Sequence, residues 1–145
     1  FQIPVFGQAM NRLGNISIDR QNLQEAIKSL NHAADLVQEG RSLIIFPEGT
    51  RATSRELLPF KKGVFIMAQK AGQPIVPVSI SGTTAIQPRG SLHIRPGPIK
   101  VVISPPIDPQ EFRGRPKEEL MAAVHQAIAD HFDPDYPYGS DLSHN

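Results

Sequence analysis

Leu43-Ile44-Ile45-Phe46 and Ile75-Val76-Pro77-Val78-Ser79-Ile80 are short, strongly apolar runs, and a stretch of helical period from about residue 63 to residue 70 lies between them. This alternation constrains the fold more than any other feature, because a helix between two apolar strands reads as a crossover unit in an α/β domain. The first run has no polar member, the pattern of a strand buried on both faces, and Pro47 ends it because proline cannot donate to the ladder. Ala71-Gly72 closes the helix before the second run begins.

The flanking segments extend this pattern. Ile16 and Ile18 alternate with polar neighbours, as in a strand that carries Asp19-Arg20 at its end. Leu23, Ala26, Ile27, Leu30, Ala34 and Val37 then recur at helical spacing, with Asp19 or Asn22 available as a cap and Gly40 suited to a left-handed stop. Residues 92–94 and 100–104 are two further strand candidates, read as a hairpin around Arg95-Pro96-Gly97-Pro98 at the edge of the sheet. Pro116 opens a last helix whose apolar stripe is Leu120, Met121, Val124, Ile128 and Phe132, with Lys117-Glu118-Glu119 placing acidic side chains in its first turn. The expectation is an α/β domain, a mixed β-sheet flanked by helices, over residues 1–132. Residues 133–145, rich in Asp, Pro, Gly and Ser without apolar period, are expected to form a disordered tail.

Composition removes several functions. With 15 basic and 14 acidic residues among 145, the net charge of +1 supplies no global field for nucleic acid or an anionic membrane, so any anion affinity is local. There is no cysteine, which excludes a thiolate nucleophile and a cysteine-bound metal. No run approaches the roughly 18 apolar residues of a membrane-spanning helix. No His, Asp and Glu cluster has metal-ligand spacing, no glycine-rich nucleotide loop is present, and the basic residues are not interleaved with stacking aromatics.

Chemistry concentrates in Phe46-Pro47-Glu48-Gly49-Thr50-Arg51, at the end of an apolar run, where open α/β sheets bind their ligands. Arginine offers a planar fork of donors to phosphate oxygens, glycine lets backbone amides approach, and threonine adds a hydroxyl. Glu48 is placed to orient Arg51 or to accept from a hydroxyl. On residue types alone, Glu48 and Arg51 read equally well as an exposed ion pair on a surface turn, contributing about 0–1 kcal/mol.

The same six residues match the F-P-E-G-T-R block of the lysophosphatidic acid acyltransferase family of glycerolipid acyltransferases. Residues 14–20 resemble that family's glycine-to-aspartate-arginine block, Pro59-Phe60-Lys61-Lys62-Gly63 its lysine-containing link, and Ile75-Val76-Pro77-Val78 its apolar-proline block, all in family order. The resemblance implies a glycerolipid acyltransferase-like fold and transfer of an acyl group from acyl-CoA or acyl carrier protein to the free hydroxyl of 1-acyl-glycerol-3-phosphate, giving phosphatidic acid without a cofactor. It further implies that Arg20, Arg51 and Lys61 bind the acceptor phosphate, that Glu48, Gly49 and Thr50 shape the same site, and that Ile75, Val76, Pro77 and Val78 lie near the acyl chain. Several cationic donors agree with the chemistry, since a phosphate beside apolar strands loses hydration that one arginine would replace poorly. For the whole protein the resemblance implies a membrane surface as partner, on the cytoplasmic face.

The family's general base is a histidine oriented by an aspartate in an H-x-x-x-x-D block that precedes all the others. Only about a dozen residues come before Gly14, and the chain starts at Phe1 without methionine, so that block is expected upstream and no catalytic residue is assigned here. His125 and Asp130 fit the letters, but they follow every other block and stand about 140° apart around a helix. His32 and Asp35 have the wrong spacing and read as solvated. Two alternatives stay open: a related acyltransferase that uses glycerol-3-phosphate or another lipid acceptor, and a non-catalytic phosphate- or phospholipid-binding domain.

Overall fold

The structure, a computed structural model, describes residues 16, 22–88, 90, 91 and 93–137. Its first helix, α1, covers Leu23–Gln38. Asn22 supplies the cap: its side-chain oxygen accepts from the amides of Gln24 at 3.1 Å and Glu25 at 3.3 Å, two of the four donors that a helix start leaves without partners. Gly40, at φ 91°, turns the chain out at the other end. The second helix, α2, covers Lys62–Ala71 and is closed by Gly72 in the left-handed region, φ 66°.

Helix α2 is the centre of the molecule because both of its flanks are buried. On one side Met67 and Ala71 pack against Ala33 and Ala34 of α1, with Ile16, Leu30, Val37, Leu43 and Ile45 around them. On the other, Phe65 joins Phe60, Leu120 and Val124, with Ile75, Ile107 and Phe112 at the margin. Leu120 and Val124 belong to the last long helix, which covers Lys117–Ala129. The Phe60 and Phe65 rings stack at 6.1 Å. Lys62 Nζ reaches Glu118 Oε1 at 3.0 Å, tying the start of α2 to that last helix.

The sheet is small among the described residues. Strand β1, Val78–Ser81, pairs antiparallel with β2, Lys100–Ile103, in the register Val78↔Ile103 and Ser81↔Lys100, and one isolated bridge joins Ile75 to Ile107. The class is α/β, but three expectations about strands need correction. Residues 100–103 do not pair with residues 93 and 94; they pair with β1, on the far side of a single-turn helix, α3, at Thr83–Ile86. Leu43-Ile44-Ile45-Phe46 is extended but belongs to no ladder among the described residues. It is not buried on both faces either: Leu43 and Ile45 face the core, while Ile44 is 87% and Phe46 71% exposed.

The hairpin also inverts the usual polarity of a half-buried sheet. Ser79 and Ser81 point inward and are almost wholly buried, while Val78, Val101 and Ile103 face out. Two buried hydroxyls serve as fasteners, while that of Ser79 has no hydrogen-bond partner: Ser81 Oγ accepts from the amide of Asp133 at 3.0 Å, and Ser104 Oγ donates to the carbonyl of Ala127 at 3.3 Å. Residues 133–137 thereby run as a turn against β1, and residues 138–145 lie outside the described part. The last long helix, which we call α4, follows a 3-10 turn at Pro109–Phe112 capped by Asp108, whose carboxylate accepts from the amide of Gln110 at 2.8 Å.

Two outcomes test this packing. Leu120→Ala removes a fully buried side chain between α2 and α4 and is expected to lower stability by about 2–5 kcal/mol in urea denaturation. The Lys62 ammonium, hydrogen-bonded to Glu118, holds that carboxyl below its ordinary range. A carboxyl depressed by folding contributes stability above its unfolded value of about 4.5, and loses it as the pH falls through the lower folded value. Lys62→Gln is therefore expected to return the Glu118 titration, followed by NMR, toward 4.5.

Candidate phosphate-binding site

The six-residue motif folds as a tight turn. The amide of Gly49 donates to the carbonyl of Phe46 at 3.0 Å, with Pro47 and Glu48 between them, so proline occupies the second position, where its fixed φ is already suitable. Gly49 itself lies at φ 68°, in the region that a side chain makes costly.

Helix α2 then locks onto this turn. The amide of Lys61, the residue before its first turn, donates to the carbonyl of Pro47 at 2.8 Å. The Lys61 side chain lies across Gly49: a Cβ built there would sit 3.3 Å from Lys61 Cγ and 3.8 Å from Cε. The ammonium is one C–N bond of about 1.5 Å further on, within roughly 5–6 Å of the turn. Glycine is thus favoured by its backbone angle, and a Cβ there would also press on the Lys61 side chain.

The electrostatics favour an anion. No side chain caps the start of α2, so the positive end of a ten-residue helix opens beside the turn together with Lys61. Lys62 is committed to Glu118 and Lys61 is not. Glu48 Oε2 accepts from the amide of Leu58 at 3.2 Å, a neutral donor that orients the carboxylate. Sequence reasoning placed Glu48 against Arg51 or a hydroxyl, and this bond adds the task of closing the loop from 48 to 58.

Of the residues singled out for this site, Glu48, Gly49 and Lys61 are brought together by these contacts. Thr50 and Arg51 follow directly on the exposed side of the turn, and Arg20 lies outside the described residues. Ile75 and Pro77 are core-facing, Ile75 bonded to Ile107 and Pro77 fully buried, while Val76 and Val78 face outward. His125 and Asp130 do not form a pair: the His125 ring rests on Phe60 at 4.8 Å, and Asp130 accepts from Gln126 Nε2 at 2.6 Å. Asp35 is held by Lys70 at 3.0 Å. Among the described residues no group of three or more His, Asp and Glu is placed to hold a metal, and no helix is long and apolar enough to cross a membrane.

One neighbouring feature escaped sequence reasoning. A hollow of about 310 Å³ opens where Thr53, Ser54 and Arg55 of the loop approach Thr84 of α3 and Arg95. Its one advance signal was the run Thr-Ser-Arg close behind the motif, and nothing in the sequence placed Arg95 opposite.

The turn at the start of the central helix of this α/β domain gathers donors and positive charge suited to an anion. The family profile described as Acyltransferase matches residues 1–81 of the 145, and the chain belongs to this family. The 1-acyl-sn-glycerol-3-phosphate acyltransferase of Escherichia coli K12 is 40% identical over 121 residues, which are 83% of this chain and 49% of that protein. A chloroplastic relative of the same name from Brassica napus is 42% identical over 74% of this chain and 31% of its own length, and a 1-acyl-sn-glycerol-3-phosphate acyltransferase from Chlamydomonas reinhardtii is 34% identical over 93% of this chain and 40% of its own length. The crystal structure of the 1-acyl-sn-glycerophosphate (LPA) acyltransferase PlsC from Thermotoga maritima superposes with a TM-score of 0.68 at 36% identity, covering 72% of this chain and 43% of that one. The chain therefore spans less than half the length of these relatives.

The loop closure is open to test. Glu48→Ala frees the amide of Leu58, and its hydrogen exchange is expected to speed up about three- to tenfold, the equivalent of one ordinary hydrogen bond. Glu48→Gln keeps an acceptor oxygen and is expected to leave exchange at Leu58 nearly unchanged.

Proposed function

We propose that this chain is the acceptor-binding part of an enzyme that transfers an acyl group from a thioester donor to the free hydroxyl of 1-acyl-glycerol-3-phosphate, making phosphatidic acid for phospholipid synthesis. The observation that carries the proposal is the turn of Pro47, Glu48 and Gly49 lying beneath Lys61 at the uncapped start of α2. Relatives that bear the acceptor's name match across this region.

The phosphate of the acceptor sits over Gly49, where the Lys61 ammonium, the Arg51 guanidinium and the first amides of α2 converge, with Thr50 adding a hydroxyl. Arg20 completes the cationic set. Bound in this way, the glycerol hydroxyl is held still while the general base, a histidine oriented by an aspartate in the family's H-x-x-x-x-D block, removes its proton. No residue of this chain is assigned to that pair. Val76 and Val78, on the outward face beside the buried Pro77, lie toward the acyl chain. The donor is acyl-CoA or acyl carrier protein, and the whole enzyme works at a membrane surface, on the cytoplasmic face.

In the whole protein, Arg51→Ala removes a charge-assisted contact worth about 1.5–3 kcal/mol, so kcat/KM for the phosphorylated acceptor is expected to fall about ten- to a hundredfold. The same assay with monoacylglycerol, which has no phosphate, should show little change. An equal loss with both acceptors would sink the assignment of Arg51 to the phosphate. Competition between 1-acyl-glycerol-3-phosphate and glycerol-3-phosphate separates the two acceptors.

A further inference from the structure

Beyond α4, residues 133–137 touch three separate segments of the molecule. The amide of Asp133 donates to Ser81 Oγ at 3.0 Å, and Ser81 is almost wholly buried at the end of β1. The Tyr136 ring lies against Gly82, where a Cβ would sit 3.0 Å from ring Cδ1, 3.4 Å from Cε1 and 2.8 Å from the carbonyl oxygen of Pro98. Gly82 stands at φ 96°, so backbone angle and close approach both favour glycine at the crossing. Between these two anchors Asp135 reaches out to Arg55, at 3.9 Å, on the loop that follows the Pro47-Glu48-Gly49 turn. The segment is also braced within itself, since Asp133 Oδ1 accepts from the amide of Asp135 at 3.1 Å.

The three contacts differ in strength, and the difference separates their tasks. A bond to a buried hydroxyl and an aromatic ring packed on glycine hold the segment to the hairpin, with Tyr136 and Pro137 half-buried there. The contact to Arg55 is long and both side chains are more than half exposed, so it is too weak to anchor the segment by itself. A weak tether is still enough to bias a weakly ordered element. Residues 53–56 are exposed and lie between Glu48 and Leu58, whose bond closes the loop, and exposed stretches of this kind open at low cost. The turn itself is held separately, by the amide of Lys61 on the carbonyl of Pro47.

We infer that residues 133–137 form a strap, seated on the hairpin at Ser81 and Gly82, through which Asp135 restrains the loop that follows the Pro47-Glu48-Gly49 turn. Lifting the strap loosens residues 53–56 and leaves the turn in place. The strap acts on this loop whatever ligand the turn holds, so its role does not depend on the acyl-transfer reading.

The test is the backbone order parameter of each amide in the 145-residue chain, measured by NMR relaxation. Asp135→Asn removes a charge at an exposed position, and order parameters at residues 53–56 are expected to fall into the flexible range, below about 0.6. Tyr136→Ala unseats the strap and is expected to do the same there, while Gly49 and Lys61 stay near the rigid value of about 0.85 in both variants. Coupling runs both ways, so Arg55→Gln is expected to loosen Asp135 and Tyr136, and adding Asp135→Asn to it should lower residues 53–56 no further. The inference is overturned if residues 53–56 are already in the flexible range in the parent, or if Asp135→Asn leaves them unchanged. It is overturned as well if the loss spreads equally to Gly49, Lys61 and the buried residues of α2, or if Asp135→Asn keeps its full effect in the Arg55→Gln background.

Discussion

Everything at the site depends on α2 being held from both sides. A helix packed along one stripe can roll or slide by fractions of a turn, but Met67 and Ala71 are set against α1 while Phe65 is set against α4, and cores of native density resist both movements. The start of α2 is therefore a fixed point. From it, one backbone bond reaches Pro47 and one side chain crosses Gly49, so the geometry of an exposed turn is inherited from a buried helix. Precision of this kind is what anion recognition requires, since fork-like donors discriminate by direction as much as by charge.

The charged residues around the turn have different tasks. Glu48 is the only acid within the motif, and its carboxylate accepts from the amide of Leu58, a bond that closes the loop, while Lys61 and the helix end add positive charge beside the turn. Lys61 and Lys62 are adjacent in sequence and diverge in role. One lies over glycine and the other bridges two helices, because Lys61 still has extended backbone while Lys62 is the first helical residue.

The helices were legible in the sequence because their signals are local. Asn22 and Gly40 for α1, Gly72 for α2 and Pro116 for α4 each act within one turn of where they stand. The strands were less so. Which partner residues 100–103 choose is settled by contacts across the chain, and the local glycine and proline between 95 and 98 pointed to a nearer partner than β1. The serines of β1 misdirect in the same way, since alternation shows that two faces differ but not that the polar one lies inside. The motif located the turn, while Glu48's partner, ten residues on, and Arg95's place opposite Arg55 depend on tertiary structure.

The bond between Glu48 and Leu58 separates two kinds of evolutionary change. Residues 49–51 are held near the helix start, whereas 52–57 hang between two tied ends. The entropy of closing such a loop grows slowly, by about 0.6 kcal/mol for each doubling of length, so its middle can lengthen or change composition with little penalty. Divergence among relatives can then proceed in that middle segment while the turn beside the start of α2 stays as it is.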